Sequence, residues 1–182
     1  MRGTRTLRSP LLILAALTAA IATVISLSLV SPASAHESRD YLEAREHVKD
    51  RLLSQLGTPY RYGSESPRRG FDCSGLIYWA FTNHGHDNLP RSSSQMWGMR
   101  KKKGYKRVFN TDKLEIGDLL FYNTSGGGVS HVAAYIGNGK MVHTGSSGGR
   151  GVRKDDIDYS YYKQRFVGAL RVPELRKPDN RN

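Results

Sequence analysis

Residues 70–81 read GFDCSGLIYWAF and place Cys73, the only cysteine of the chain, just before an apolar run. The run from Leu76 to Phe81 predicts a helix that is buried on most sides and ends near residues 83–85. Cys73 then lies in the first turn of a central helix. A thiol in that position faces unpaired backbone N–H groups and the positive end of the helix dipole, which favour the thiolate.

A lone cysteine cannot form an intramolecular disulfide, so Cys73 serves another purpose. A buried, inert thiol is the ordinary alternative. As a thiolate, however, Cys73 can attack an amide carbonyl, and the N–H groups of the same helix end can stabilise the oxyanion that forms. The sequence therefore offers a candidate nucleophile.

Two histidines in the second half of the chain are candidate bases. In the run HVAAYI, which starts at His131, alternate side chains face opposite sides of a predicted strand. His143 follows an Asn138-Gly139 turn, so it can lie on the neighbouring strand and hold the His131 ring by a hydrogen bond. Either histidine alone is as readily an ordinary surface or core residue. Their joint arrangement with a thiol at a helix start favours catalysis.

The flanking pattern predicts helices first and a compact antiparallel sheet afterwards, which is an α+β domain. An amphipathic helix is expected over Glu37–Leu56, ended by Gly57, and loops over Thr58–Phe71 and Leu89–Gln95. The predicted strands are Leu119–Tyr122, His131–Ile136, Lys140–Thr144 and Arg165–Val172, with a weaker one at Lys106–Phe109.

The two ends of the chain differ from this domain. Residues 1–35 combine a basic start, an apolar stretch and an Ala-Ser-Ala site, which predicts a signal peptide cleaved after Ala35; a membrane anchor is the alternative. Residues 36–172 form the predicted domain, and the charged, proline-containing tail 173–182 is expected to be flexible.

The formal net charge of +12 predicts a polyanionic partner. For an exported protein, anionic wall polymers or membrane surfaces fit better than nucleic acid, and no stable membrane insertion is expected after cleavage. The densest basic run, 100–107, is also typical of a solvated loop or strand edge. His84, His86 and Asp87 lack further ligands at convincing spacing, so no metal site is predicted.

Several motifs in order resemble the NlpC-type cell-wall peptidases of the papain-like superfamily. The resemblance covers nearly all of the predicted mature chain, in the family's order. Its residues are Leu56-Gly57-Thr58-Pro59-Tyr60-Arg61-Tyr62-Gly63, Gly70-Phe71-Asp72-Cys73-Ser74-Gly75-Leu76, Leu89-Pro90-Arg91, Gly117-Asp118-Leu119-Leu120-Phe121, His131-Val132-Ala133-Ala134-Tyr135-Ile136-Gly137 and Met141-Val142-His143.

The resemblance implies a papain-like fold without cofactor or metal, in which Cys73 attacks, His131 is general base and then acid, and His143 orients His131. It also implies that Tyr60 lines the cleft and helps to stabilise the oxyanion. Asp72 and Ser74 match positions that shape substrate subsites, where Asp72 can engage an amine or amide of the substrate. The alternative for Asp72 is a helix N-cap.

The expected activity is that of an exported, secreted or wall-associated cysteine endopeptidase that hydrolyses peptidoglycan stem peptides. The resemblance suggests the bond between D-glutamate and the following diamino acid. Two alternatives stay open: an amidase that cuts between muramic acid and L-alanine, and a catalytically idle wall-binding protein.

Overall fold

The computed structural model describes residues 32–82, 88–145 and 151–173. Residues from Arg39 onward form one compact unit, and residues 32–38 belong to a separate N-terminal unit. The predicted leader up to residue 31, the turn with His84, His86 and Asp87, most of the glycine-rich loop after Thr144 and the tail beyond residue 173 lie outside the described residues.

The first helix, α1 (Pro32–Ser54), starts five residues before the predicted Glu37, so the predicted cleavage position falls within it. It ends two residues before the predicted Leu56, which is 40% exposed. Gly57 follows in a left-handed conformation with φ +86°, as expected of a residue that stops a helix. The helix face packed in the core consists of Ala44, Val48 and Leu52.

Helix α2 (Cys73–Phe81) confirms the central helix that starts at the cysteine. Asp72 caps it, since its carboxylate accepts a hydrogen bond from the Gly75 N–H. The helix ends at Phe81, earlier than predicted, because Thr82 is extended while its N–H and hydroxyl still donate to the Tyr78 carbonyl.

Two segments predicted as loops contain short regular elements. Strands β1 (Glu65–Ser66) and β2 (Gly70–Phe71) pair as a small hairpin before α2. Helix α3 (Ser93–Gly98) starts after Ser92, whose hydroxyl accepts from the Gln95 N–H. The Ser92 hydroxyl also donates to Gln95 Oε1, and a serine before the helix is an N-cap signal that was readable from the sequence. Single 3₁₀ turns follow at Met99–Lys101 and Thr111–Lys113.

The main sheet has six antiparallel strands in the order β3-β8-β4-β5-β6-β7. The α+β prediction is therefore confirmed, and all five predicted strands lie within a residue of their observed bounds. The strands are β3 (Lys106–Val108), β4 (Leu119–Tyr122), β5 (His131–Gly137), β6 (Lys140–Thr144), β7 (Val152–Asp156) and β8 (Phe166–Arg171). The sequence did not predict β7 or the short helix α4 (Ser160–Lys163).

Both faces of the sheet are buried. One face packs against α1 and α2 through residues such as Phe121, Val132 and Ala134. The other face holds a smaller cluster that includes Tyr122, Ala133 and Tyr162 of α4. The alternation predicted for β5 is thus confirmed, because successive side chains enter different clusters.

The turn between β5 and β6 confirms the predicted hairpin. Asn138 and Gly139 have φ values of +52° and +69°, and Gly137 pairs with Lys140 across the turn. Positive φ at both central residues is the tight turn that suits the twist of paired strands. This turn brings β6, with His143, alongside β5, with His131.

The basic run begins in the 3₁₀ turn and ends on the edge strand β3. Lys101, Lys102, Lys103, Lys106 and Arg107 are exposed, which confirms the prediction of a solvated loop and strand edge. Across the described ranges, no helix is long and apolar enough to cross a membrane.

Candidate active site

Cys73 opens into a cleft of about 160 Å³ between the start of α2 and the sheet. The side chain is partly exposed, since α2 packs against β5 and β6 and leaves its first turn at the rim. The cleft brings together four residues singled out in the sequence: Cys73, His131, His143 and Tyr60. The remaining lining residues are Thr124, Ser130, Thr144, Gly145, Arg153, Tyr161 and Tyr162.

The expectation that the helix start favours the Cys73 thiolate is wrong. Burial raises its pKa, and the neighbouring Asp72 carboxylate adds to the rise. The backbone N–H groups of Val132, Ser74 and Cys73 act in the opposite direction without overcoming the burial. A raised pKa favours the neutral thiol, so an attack by Cys73 would require a base to remove its proton.

His131 and His143 are in contact, as predicted. His131 Nε2 lies 3.0 Å from His143 Nδ1, and the two rings are nearly perpendicular. The strand register pairs Ala134 with Val142, so the two histidines lie diagonally across the β5-β6 pair rather than directly opposite. Both side chains are buried, with His143 at 0% exposure.

Burial is the main reason that both imidazoles stay neutral. It lowers the pKa of His131 to about 3, with a further contribution from His143 and Arg153. It also lowers the pKa of His143, although the hydrogen bond to Asp155 opposes that change. A neutral His131 can accept a proton, and because Nε2 contacts His143, Nδ1 is the ring nitrogen that remains for the thiol.

The structure adds Asp155 of β7 to this group, which sequence reasoning missed. Its Oδ2 lies 2.8 Å from His143 Nε2. Arg153 Nε donates to the same oxygen at 3.0 Å, and Arg153 Nη2 donates to the Tyr162 hydroxyl at 3.1 Å. The hydrogen bond from His143, assisted by Arg153, lowers the pKa of Asp155 to about 2.

The segment that carries Asp155 reads VRKDD and contains a single apolar residue, so it does not resemble a strand. The only local signal is its alternation, which puts Arg153 and Asp155 on one side. Strand pairing with β6, in which His143 faces Arg153, is what brings the carboxylate to the histidine.

The side chains of Asp72 and Ser74 are hydrogen-bonded to other groups of the protein. Arg91 binds both carboxylate oxygens of Asp72 at 2.8 Å, and the N–H groups of Gly63 and Gly75 donate to the same carboxylate. Arg91 also donates to the Ser74 hydroxyl at 2.9 Å. Neither Asp72 nor Ser74 lines the cleft as the structure describes it.

Burial by itself would raise the pKa of Asp72. The hydrogen bonds outweigh it, so the pKa is lowered. Asp72 therefore stays ionised as the helix cap and as the partner of Arg91. This geometry favours the N-cap interpretation over the subsite interpretation of Asp72.

Tyr60 lies where the resemblance places it, on the cleft wall beside Cys73. A parallel bridge to Phe71 fixes its backbone next to the start of α2. Burial, followed by the nearby Cys73 and Asp72, raises the pKa of Tyr60. The phenol therefore keeps its proton at neutral pH and can donate a hydrogen bond into the cleft.

Comparisons with known proteins agree with this geometry. A model of the NlpC/P60 family matches residues 57–171, which hold the cleft. The murein DD-endopeptidase MepH of Escherichia coli is 36% identical over 141 residues, which cover 77% of this chain and 50% of the relative. The bifunctional muramidase/DL-endopeptidase CwlT of Bacillus subtilis is 33% identical over 129 residues, covering 70% and 36%.

Among solved structures, the peptidoglycan hydrolase RipB of Mycobacterium tuberculosis superimposes with a TM-score of 0.59 at 28% identity, covering 84% of this chain and 77% of that chain. The chain spans half or less of the length of the two curated relatives. The family match, the shared fold and the ordered motifs lead to one conclusion: the chain belongs to the NlpC/P60 family.

Proposed function

We propose that the protein is an exported cysteine endopeptidase that hydrolyses amide bonds in peptidoglycan stem peptides. The observation that carries the proposal is the single cleft in which Cys73, at the start of α2, meets the hydrogen-bonded pair of His131 and His143. The predicted signal peptide, residues 1–35, supports export.

In the proposed first step, neutral His131 takes the thiol proton of Cys73 through Nδ1 as the sulfur attacks the substrate carbonyl carbon. The backbone N–H groups at the start of α2 and the Tyr60 hydroxyl stabilise the resulting oxyanion. His131 then gives the proton to the leaving amine, which departs and leaves an acyl-enzyme. Water, activated by the same imidazole, releases the acid and restores the thiol.

The bond proposed is that between D-glutamate and the following diamino acid. The resemblance of the motifs suggests it, and CwlT, one of the relatives, is named a DL-endopeptidase. A second candidate is a DD-bond between stem peptides, because the more similar MepH is named a DD-endopeptidase.

Digestion of purified muropeptides with the wild-type protein and with Cys73→Ala tests the proposal. We expect wild type to release a fragment with a new N-terminal diamino acid, and Cys73→Ala to release none while keeping its circular dichroism spectrum. Separation of two cross-linked stem peptides would instead indicate cleavage of a DD-bond. Release of a peptide that begins with L-alanine would indicate the amidase. Equal activity of Cys73→Ala overturns the thiol mechanism, and an inactive wild type favours a wall-binding protein.

The exposed basic run is proposed to contact anionic wall polymers. Its Lys101, Lys102 and Lys103 side chains are exposed, and attraction of this kind weakens with salt. Replacing the three lysines by glutamine is expected to weaken sedimentation with whole cell walls at low salt, with unchanged activity on small muropeptides. Undiminished sedimentation contradicts this contact.

A further inference from the structure

We propose that Asp155 is a positioning residue that sets the tautomers of both buried histidines and so presents an unprotonated Nδ1 of His131 to Cys73. The inference deepens the proposed function and rests on it. It starts from the chain of contacts Asp155, His143 and His131, in which each adjacent pair lies within hydrogen-bond distance.

The first link fixes the proton on His143. An ionised carboxylate can only accept, so at 2.8 Å from Asp155 Oδ2 the His143 Nε2 must carry the hydrogen. The hydrogen bond from His143, assisted by Arg153, lowers the pKa of Asp155 to about 2, so the carboxylate is ionised at neutral pH.

The second link makes the tautomer of His131 depend on that of His143. Because His143 is fully buried and neutral, protonation at Nε2 leaves Nδ1 with a lone pair. Nδ1 can then only accept, so His131 Nε2, at 3.0 Å, must donate. The proton of neutral His131 is thereby held at Nε2, and its Nδ1 is free to take the proton of the Cys73 thiol.

Tyr162 competes for the same nitrogen. Its hydroxyl lies 3.3 Å from His143 Nε2 and, as a donor, would impose the opposite tautomers. The carboxylate is closer and charged, so its hydrogen bond is the stronger of the two. Arg153 supports this outcome, since its hydrogen bond to the same Asp155 oxygen favours the ionised carboxylate.

Removal of Asp155 should therefore let the Tyr162 hydroxyl reverse the tautomers. For Asp155→Ala we expect kcat on a stem peptide to fall about 100-fold with KM within about threefold, since a wrong tautomer impairs the base and not binding. Asp155→Glu, the conservative variant, keeps a carboxylate that can only accept and is expected within about tenfold of wild type.

The double variant Asp155→Ala, Tyr162→Phe separates this role from a merely structural one. Loss of the competing hydroxyl should give the double variant a kcat about tenfold higher than that of Asp155→Ala. If the double variant is no faster than Asp155→Ala, or if Asp155→Ala keeps wild-type kcat, the proposal is overturned.

Nitrogen-15 spectra of the histidine rings give a readout that needs no substrate. In the wild-type protein we expect His131 and His143 both as the Nε2–H tautomer, and in Asp155→Ala a shift of both toward Nδ1–H. A wild-type His131 that carries its proton on Nδ1 overturns the proposal. Failure of the protein to cut any muropeptide, with the expected tautomers present, overturns the proposed function alone.

Discussion

Two aspartates lie behind residues of the cleft, and each is paired with an arginine, yet they belong to different hydrogen-bond networks. Asp72 is paired with Arg91 and accepts from backbone N–H groups at the start of α2. Asp155 is paired with Arg153 and accepts from the imidazole of His143. The Asp72 carboxylate therefore holds the start of α2, whereas the Asp155 carboxylate contacts the histidine that is bonded to the proposed general base, His131.

The difference teaches that residue type and charge pairing do not separate a structural carboxylate from a functional one. What separates them is the remaining partner. A backbone N–H always carries its proton, so the hydrogen bonds of Asp72 can only stabilise the local conformation. An imidazole has two neutral tautomers, and a carboxylate that accepts from one ring nitrogen favours one of them. The Asp72 network should therefore govern stability, and the His131 network should govern rate.

The largest effect is expected from His131→Gln. Without the base, kcat/KM on a stem peptide should fall by about 10³- to 10⁴-fold, while the free energy of unfolding in urea stays within about 1 kcal/mol. His47→Gln, on the exposed side of α1, is the matched control and should leave kcat/KM unchanged. A loss of stability in proportion to the loss of rate would remove the distinction between the two networks.

Asp72→Ala tests the scaffold side. Loss of the helix cap and of the partner of Arg91 should lower the free energy of unfolding by about 3 kcal/mol. KM, measured at a temperature at which the variant is folded, should not change. Asp158→Ala is the control, since the ion pair of Asp158 with Lys163 is exposed and should contribute little. Raised KM with unaltered stability would instead place Asp72 in a substrate subsite.

Acid should weaken the fold through the buried histidine. His131 stays neutral in the folded protein down to a pKa of about 3, whereas in the unfolded chain it takes up a proton near pH 6.5. The unfolded state thus binds more protons below pH 6.5, and stability falls as the pH decreases. From pH 8 to pH 5 we expect a loss of about 2 kcal/mol from His131, measured by urea unfolding.

His131→Gln is the control for this pH dependence, because it lacks the titrating group. The loss between pH 8 and pH 5 should be smaller in the variant by that same amount. An identical pH dependence in both proteins would mean that His131 is not held neutral by burial.

The smallest effect is expected from Tyr60→Phe. Removing one hydrogen-bond donor to the oxyanion should lower kcat about tenfold, equivalent to about 1.4 kcal/mol, with KM unchanged. Tyr62→Phe is the matched control, because Tyr62 is 88% exposed. Equal kcat in both variants would restrict Tyr60 to lining the cleft.

Local patterns predicted much of the fold and half of the site. The thiol at the helix start, the alternation of β5 and the Asn138-Gly139 turn all depend on residues within a few positions of one another, so the sequence alone was sufficient. That turn also fixed the approach of His131 and His143, because it pairs adjacent strands.

Contacts between distant residues decided the rest. Arg91 reaches Asp72 across 19 positions, which changed the interpretation of that aspartate from subsite to cap. Strand β7 has a charged sequence, and its backbone is held in place by pairing with β6. At its start, the Val152 N–H donates to the Thr58 carbonyl and the Val152 carbonyl accepts from the Gly57 N–H.

The sequence by itself determined the candidate nucleophile, the pair of histidines and the α+β order of the chain, because these follow from local periodicity and turn chemistry. Only the tertiary structure decided the state of those groups. Burial keeps the Cys73 thiol and His131 neutral, and the pairing of β7 with β6 brings Asp155 to His143. Desolvation and strand pairing depend on the whole fold, which no local pattern encodes.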